Sequence, residues 1–520
     1  MQEARRLSTV VRAVFVFMLC LSACGYARAE VYTWANGDAS GAWTDPASWE
    51  GPAGGYPDSA GDDAVLSMRG IDVWGIDGVV GSLSLNVADG NPELSGAGLT
   101  FDNGGAGATF SIRDTSPVWA KASMMLAPIT LAGDLAIELA GYDKTFVILG
   151  GMVESGGARS VTLHASAEAG NPTLCVPTGS WNFTGGLYLS GGADADHYAT
   201  FADIAGAYAG TVHLAGHCRY VSDFVGTSAT LASAVELAPG CHAVLGRINE
   251  SDLTHGVTYT GVISGQACEV RICTTSLADP SPSKYAVTLG GDSPNTYTGE
   301  TVIEATRGGK VVAGKDGAFG ESWRITVMAS SELYLGGCDA IADSAALRLF
   351  TDGSDPARVV LTDGAAEAVA SLYFWDDTLG EYIQQVSGTW GSTDSAAQHR
   401  TDEWFSGAGV LSVGGSGVLP SADADENGVV DAADYLTLKA NMGLSGGAVR
   451  ADGDFDGDGD VDWCDLSILI DQMGQVGSSP IATPPAAPEP GSLVLLSAAS
   501  ALALGRRRRR AETRQIVKSA

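Results

Sequence analysis

Apolar residues alternate with polar or small residues in many short stretches of the chain between residues 31 and 414. Two examples are "ITLAGDLAIELAG" (129–141) and "SVTLHASAEAG" (160–170), and both end at glycine. A period of two is typical of β-strands that bury one face, and the glycines indicate turns between them. The pattern predicts a mainly β body, but a sandwich, a barrel and a solenoid all fit it.

Internal similarity favours the solenoid. The segments "NTYTGETVIEA" (295–305), "WNFTGGLYLSG" (181–191) and "VTYTGVISGQ" (257–266) share an aromatic residue, a Thr-Gly pair and an alternating strand. Repeated units that cannot bury their apolar face alone bury it by stacking on one another. We therefore expect stacked coils over residues 30–414.

These repeats resemble the bacterial autotransporter-associated β-strand repeat. Residues 287–320 carry its Asn-x-Tyr-Thr-Gly-x-Thr pattern, and residues 32–66 and 387–413 are similar to the flanking segments of the same group. The resemblance implies a right-handed parallel β-helix displayed on a surface, and it supplies no catalytic residues.

A second pattern lies after residue 420, where two acidic segments superpose 31 residues apart. They are "DADENGVVDAADYLTLKANMG" (423–443) and "DFDGDGDVDWCDLSILIDQMG" (454–474). Each has oxygen-bearing side chains at positions 1, 3, 5, 9 and 12, glycine at 6 and an apolar residue at 8, which is the spacing of a Ca²⁺ loop. The predicted ligands of two Ca²⁺ sites are Asp423, Asp425, Asn427, Asp431 and Asp434 with the carbonyl of Val429, and Asp454, Asp456, Asp458, Asp462 and Asp465 with the carbonyl of Asp460.

One predicted helix follows each loop, and position 12 is aspartate in both copies. The apolar residues expected where the two helices pack together are Leu436, Leu438 and Met442 of the first and Leu466, Ile468, Leu469 and Met473 of the second. This loop–helix duplication resembles a type I dockerin over residues 421–476. The resemblance implies a small α domain, coupling of Ca²⁺ binding to folding and a cohesin-like or other surface protein as partner. Positions 10 and 11, which are commonly a small polar pair in cohesin-binding members, are Ala432-Ala433 and Trp463-Cys464 here. A purely structural calcium module is therefore the alternative to cohesin binding.

The charge of the chain agrees with a cation partner. The formal net charge is −32. Residues 421–474 contain thirteen Asp and Glu against Lys439 and Arg450, a net charge of −11. Binding to nucleic acid requires basic patches, so the composition argues against nucleic acid as a partner.

The N-terminus predicts export. Basic residues precede the apolar run "AVFVFMLCLSACG", and "ARAE" supplies a small-x-small cleavage site, so residues 1–29 are predicted to be a signal peptide. Lipidation of Cys24 in "LSAC" is the alternative. The mature chain would keep seven cysteines without a CxxC pair, which favours buried thiols with at most one bridge.

The C-terminus predicts a sorting device. Short linkers at 415–420 and 477–487 flank the module, and Pro488-Glu489-Pro490 is followed by an apolar run and the five arginines 506–510. This order resembles the PEP-CTERM signal over residues 488–510. It implies a transmembrane helix, a cytoplasmic tail at 511–520, an exosortase-type processing enzyme and delivery to the cell envelope or extracellular matrix.

The sequence thus predicts an exported structural or adhesion protein of the cell surface or matrix. The alternative is an extracellular β-helix enzyme acting on polysaccharide, or a carbohydrate-binding protein, docked through its dockerin. Converging carboxylates in a groove would favour the enzyme.

The residues Trp34, Trp43 and Trp49 are predicted to form a cap on the first coil rather than a sugar-stacking platform. A zinc site built from His213, His217, Cys218, Cys241 and His242 is disfavoured, because this region is predicted to be strands.

Overall fold

The computed structural model describes residues 30–474 apart from 36–38, 70–71, 115–121, 141–144, 166–172, 177–180, 193–197, 204–205, 207, 223–227, 248–255, 276–285, 307–308, 338, 354, 415–421, 426–428 and 456–458. The predicted signal peptide, both linkers, the sorting segment and the cytoplasmic tail lie outside these residues. No helix among the described residues is long and apolar enough to cross a membrane.

The first part of the body consists of short strands. Strands β1–β20 are Val31–Trp34, Gly41–Ala42, Trp49–Glu50, Asp63–Arg69, Val73–Val80, Ser82–Asp89, Glu93–Phe101, Ala108–Asp114, Ala122–Met125, Ile129–Leu131, Leu135–Ala140, Thr145–Ile148, Met152–Glu154, Val161–Ala165, Thr173–Val176, Trp181–Asn182, Leu187–Ser190, Ala199–Asp203, Val212–Ala215 and His217–Val221.

The second part continues with strands of more uneven length. Strands β21–β38 are Ala229–Leu231, Val235–Gly246, Val257–Tyr259, Ile263–Thr275, Ala286–Leu289, Thr296–Thr306, Lys310–Ala313, Glu321–Val327, Glu332–Leu335, Ala346–Leu349, Arg358–Leu361, Ala366–Val369, Ser371–Asp376, Glu381–Gln384, Gly388–Gly391, His399–Arg400, Phe405–Ser406 and Val410–Val413. Short 3-10 turns occur at Pro46–Ser48, Pro52–Gly54 and Arg450–Asp452.

The strands pair in parallel with strands of the following coil. In the middle of the first part β10, β11 and β12 pair with β13, β14 and β15, so three strands make one turn of the chain. The described antiparallel pairs are β1–β3, β33–β34 and β35–β38, which belong to the first and last parts of the body. The body is thus mainly β with parallel sheets, as predicted, and it is consistent with a solenoid.

Each coil contributes an apolar residue to a continuous interior ladder. The register places equivalent side chains directly above one another, and all of the ladder residues below are buried. The first ladder is Leu83, Phe110, Ile137, Leu163, Leu189, Leu214 and Leu237. The second is Ala229, Val257, Val287, Val311, Leu333, Val359 and Phe405.

The Asn-x-Tyr-Thr-Gly segment connects three successive coils. The buried Asn295 side chain accepts hydrogen bonds from the backbone N–H of Ile263 (2.9 Å) and from Lys315 Nζ (2.8 Å), and donates to the carbonyl of Ala318 (2.7 Å). A buried amide is tolerated only when its donors and acceptors are satisfied, and this one is. The asparagine of the repeat motif therefore joins neighbouring coils by hydrogen bonds.

The glycine of the same motif allows close approach of the preceding coil. Gly299 has φ +110°, and a Cβ atom built there would lie 2.0 Å from the carbonyl oxygen of Ala267. Both the backbone conformation and the contact exclude a side chain.

The three N-terminal tryptophans form the predicted cap. Trp34, Trp43 and Trp49 are at most 6% exposed, and both Trp34 and Trp43 contact Trp49 edge to face. The Trp49 Nε1 donates to the carbonyl of Trp43 (2.7 Å), and the Trp43 Nε1 donates to the carbonyl of Pro57 (3.2 Å). Buried rings cannot stack on a sugar, so the platform alternative is wrong for these residues.

We expect Gly299→Ala to destabilise the solenoid by about 2–5 kcal/mol, because left-handed backbone costs about 1–2 kcal/mol and overpacking adds about 1–3 kcal/mol. Gly240→Ala is the matched control, since Gly240 has φ +71° and no atom within 4 Å of a built Cβ. Urea denaturation of both variants measures the difference. Equal losses for the two variants would show that the contact with Ala267 is unimportant.

A buried carboxylate lies near the end of the body. Glu367 in β32 is 2% exposed and accepts hydrogen bonds from the backbone N–H groups of Ala340 (3.0 Å) and Ile341 (3.3 Å). Burial raises the pKa of Glu367 to about 7, the two hydrogen bonds oppose this shift, and nearby Asp339 adds to it. The native state therefore binds a proton more tightly than the unfolded chain does.

It follows that the contribution of Glu367 to stability is present below pH 4.5 and is lost as the pH rises through about 7. In Glu367→Gln this dependence is removed, so its free energy of unfolding relative to wild type should rise by on the order of 2 kcal/mol between pH 5 and pH 8. Denaturation at several pH values tests this. Glu381→Gln, at an exposed glutamate, is expected to follow the wild-type curve, and a flat difference for Glu367→Gln would contradict the assignment.

Candidate metal centres

Two loop–helix units repeat the same local structure 31 residues apart. Helix α1 spans Ala432–Asn441 and helix α2 spans Trp463–Gln472. Asp431 and Asp462 are the N-caps, and their Oδ1 atoms accept from the backbone N–H of Ala433 (2.7 Å) and Cys464 (2.6 Å). An aspartate at this position satisfies an otherwise unpaired N–H and favours the helix start.

The aspartates at position 12 close the two loops in the same way. Asp434 Oδ1 accepts from the backbone N–H of Ala424 (2.7 Å), and its Oδ2 accepts from that of Asp431 (2.8 Å). The equivalent Asp465 accepts from the N–H of Phe455 (2.6 Å) and of Asp462 (2.8 Å). These hydrogen bonds connect position 12 of each loop to positions 2 and 9 of the same loop. The two copies therefore share this set of hydrogen bonds.

The two units also exchange hydrogen bonds with each other. The N–H of Gly443, after α1, donates to the carbonyl of Val461 in the second loop, and the N–H of Gly474, after α2, donates to the carbonyl of Val430 in the first (both 2.8 Å). Val430 and Val461, the apolar residues of position 8, are fully buried. The two loops therefore fold as one reciprocal pair.

The shared core differs from the predicted helix faces in one helix. Leu438 of α1 and Ile468 and Leu469 of α2 are buried as predicted, and Leu466 and Met473 pack against them. Leu436 is 62% exposed and Met442 is 38% exposed, so their expected burial is wrong. Tyr435, one residue before Leu436, packs against the core instead.

Each loop brings three carboxylates together. Oxygen atoms of Asp423, Asp425 and Asp434 all lie within 4.8 Å of one another, and so do those of Asp460, Asp462 and Asp465. Asp423, Asp434 and Asp465 are buried. Asp454, the first position of the second loop, is also buried and accepts from the N–H of Gly459 across the loop (2.9 Å).

The twelve predicted ligands thus fall into three groups. Six contribute to the carboxylate groups, although Asp460 was predicted to use its carbonyl. Val429, Asp431 and Asp454 lie in the loops but outside these groups. Asn427, Asp456 and Asp458 lie outside the described residues.

The electrostatics of these groups favour a cation. Three carboxylates within 4.8 Å repel one another, and each pair costs about 1 kcal/mol in water and more where burial lowers the effective dielectric constant. A hard divalent cation such as Ca²⁺ converts this repulsion into attraction, and carboxylate oxygens are the ligands it prefers. The donor type fits Ca²⁺, and each group supplies three of the roughly six to eight oxygen ligands that this ion takes.

Two contacts of the module were not predicted. Cys464, at position 11 of the second loop, forms a disulfide with Cys268 of β24. Trp323 of β28 is 7% exposed and belongs to the apolar core of the module. Neither residue carries a sequence signal, because pairing of cysteines 196 residues apart and burial of a single tryptophan depend on the folded geometry. The described free cysteines are Cys218, Cys241 and Cys273.

The histidines and cysteines of the disfavoured zinc site do not come together as a group of metal ligands. His217 and His242 stack ring on ring (4.5 Å between centroids), whereas Cys218 and Cys241 are fully buried in the interior. His213 stacks on Tyr188 and bonds Glu236 instead (2.7 Å). Among the described residues, the groups of three or more metal-ligating side chains are the two in the loops.

The carboxylates on the outside of β24 and β26 are bound to arginines. Glu269 and Glu304 both bond Arg271, and Glu300 bonds Arg324 and Thr326. The side chains of Glu300 and Arg324 are only 17% and 10% exposed. Carboxylates held in this way serve as ion pairs of the structure, whereas an acid–base pair needs access to substrate.

Comparisons of this chain with known proteins gave no match to a family model, to a curated protein or to a solved structure.

Proposed function

We propose that this chain is an exported structural or adhesion protein of the cell surface or extracellular matrix, in which a β-solenoid carries a dockerin-like module with two Ca²⁺ sites. The observation that carries this proposal is the duplicated carboxylate loop. Both copies have a helix of the same length with the same capping hydrogen bonds. Each also has a group of three carboxylates, from positions 1, 3 and 12 in the first loop and from positions 7, 9 and 12 in the second. Random acidic linkers do not repeat such details.

The solenoid supports the structural role. Its apolar ladders run through successive coils, and the outward glutamates of β24 and β26 are engaged by arginines. Coils that contact only their neighbours make a repetitive scaffold that displays surfaces. An enzyme acting on polysaccharide is the alternative, and the observation that would favour it is a pair of carboxylates open to a groove.

The partner face implied by the dockerin resemblance differs between the two copies. Ala432, Ala433 and Leu436 of the first copy are exposed on α1. In the second copy Trp463 is 76% exposed, but Cys464 is bonded to the solenoid. A cohesin-like or other surface protein would therefore meet the face of α1, where small residues allow close approach.

Export and sorting are proposed from the sequence alone. Residues 1–29 would direct export, and residues 488–510 would be recognised by an exosortase-type enzyme. The polybasic end keeps the tail in the cytoplasm until processing.

Calorimetric titration of the chelator-treated full chain should show two Ca²⁺ ions bound, with dissociation constants of about 10⁻⁴ M or tighter, and a gain of helix by circular dichroism. Asp434→Asn and Asp465→Asn each remove a position-12 carboxylate charge and should leave one ion bound. The reason is that each variant disables one loop while the other keeps its ligands.

Asp452→Asn is the matched control, because Asp452 lies between the loops and outside the predicted ligand set. It should bind two ions like wild type. No binding heat and no gain of helix would overturn the calcium proposal, as would two ions in both position-12 variants.

Deletion of residues 488–510 tests the sorting proposal. A tagged full-length chain should be found in the envelope or matrix fraction, whereas the deletion variant should accumulate elsewhere, because the processing enzyme has no segment to recognise. Immunoblots of cell fractions and medium measure this. Replacement of the linker 477–487 by an equally long Gly/Ser segment is the control, and identical distribution of deletion and wild type would refute the assignment.

A further inference from the structure

The calcium module is fastened to the solenoid at one corner of the coils. Cys268 and Cys464 form the covalent link, with 6.5 Å between their Cα atoms. Trp323 provides a second contact, since it clusters with the buried apolar residues of the module, Ala422, Ala424, Val430, Leu438, Ala448, Phe455, Val461, Ile468 and Leu469. The two contacts come from β24 and β28, the strands on either side of β26.

Both contact residues lie at β-bulges. The pairing of β24 with β22 passes from Ala267 to Glu269 and skips Cys268, and the pairing of β26 with β28 passes from Ser322 to Arg324 and skips Trp323. A bulged residue is released from the inward–outward alternation of its strand and can be aimed elsewhere. The corner therefore presents a thiol and an indole that regular strands would not place together.

On the module side, the cysteine of the disulfide is Cys464, which belongs to the second loop. Cys464 directly precedes Asp465, which closes the loop, and its own N–H donates to Asp462. Both Asp462 and Asp465 belong to the carboxylate group of this loop. In the first loop the equivalent residue is Ala433, so only the second loop is tethered.

We propose that the Cys268–Cys464 disulfide and the second calcium loop are thermodynamically coupled, so that oxidation strengthens Ca²⁺ binding at this loop and bound Ca²⁺ protects the disulfide from reduction. The inference rests on the calcium sites proposed above. The disulfide restricts the conformations of the Asp462–Asp465 turn before the ion arrives, so less ordering remains to be done on binding. Coupling between two sites is reciprocal.

The chemistry is thiol–disulfide exchange. A dithiol such as dithiothreitol donates two electrons and two protons, cleaves the Cys268–Cys464 bond to two thiols and itself becomes a cyclic disulfide. The reverse reaction needs an external disulfide as oxidant, which is reduced as the protein bond forms. An oxidising exported environment containing calcium would thus close the bond and fill the loop together.

Calcium titration of the oxidised full chain, of the chain treated with dithiothreitol and of Cys268→Ser tests the coupling. The variant Asp434→Asn is used as background, so that the second loop is observed alone. We expect the dissociation constant to rise about fivefold or more on reduction or in Cys268→Ser. In the Asp465→Asn background, where the first loop remains, reduction should have no effect.

Cys273→Ser is the matched control, because Cys273 lies on the same strand as Cys268 and is a free thiol. It should leave both affinities unchanged. The reciprocal measurement is the fraction of Cys268–Cys464 reduced at a fixed ratio of reduced to oxidised dithiothreitol, read by alkylation and mass spectrometry. Saturating Ca²⁺ should lower the ratio of reduced to oxidised protein by the same factor as the change in dissociation constant, and Mg²⁺ should lower it less.

The outcomes separate the two proposals. Two ions bound with equal affinity in oxidised and reduced chains would overturn the coupling and leave the calcium sites intact. No ion bound in any form would overturn both. Absence of the Cys268–Cys464 peptide pair from non-reduced digests would also overturn the coupling, whereas circular dichroism of Cys268→Ser checks that a lost affinity does not come from unfolding.

Discussion

The parallel hydrogen bonding between successive coils is the constraint on which the rest of this structure depends. It fixes the register, so the residue that faces inward in one coil faces inward in the next, and the apolar ladders follow. The buried Asn295 shows the same constraint for a polar residue, because its amide satisfies backbone and side-chain groups of the coils before and after it. Once coils are in register, a single substitution acts on three coils.

The solenoid contacts the module where its strands depart from this register. Regular parallel strands present similar side chains in every coil, so no one coil is distinguished as an attachment site. The bulges at Cys268 and Trp323 break this regularity and aim two side chains at the module. Gly299 lies on the strand between them, and its left-handed backbone lets the coils stay close where the pairing shifts. The repeat motif and the docking corner are therefore two aspects of one local geometry.

Much of this could be predicted from the sequence because it depends on short periods. Alternation predicted the strands, the repeated Asn-x-Tyr-Thr-Gly segment predicted stacking, and the duplication predicted two helices, which begin 31 residues apart. What the sequence did not predict depends on distant parts of the chain. The partner of Cys464 is 196 residues away, and which apolar residues of α1 are buried depends on how the helix packs against the rest of the module. A local sequence pattern specifies neither contact.

The module and one face of the solenoid hold their carboxylates differently. On β24 and β26, Glu300 and Glu304 are paired with arginines of the same chain. In the loops the carboxylates meet one another, and few basic residues are near them in sequence. Under the proposal of two Ca²⁺ sites, a cation from the medium would balance these carboxylates, and the fold of the module would then respond to calcium. The Cys268–Cys464 disulfide and the contact of Trp323 hold that module on the solenoid.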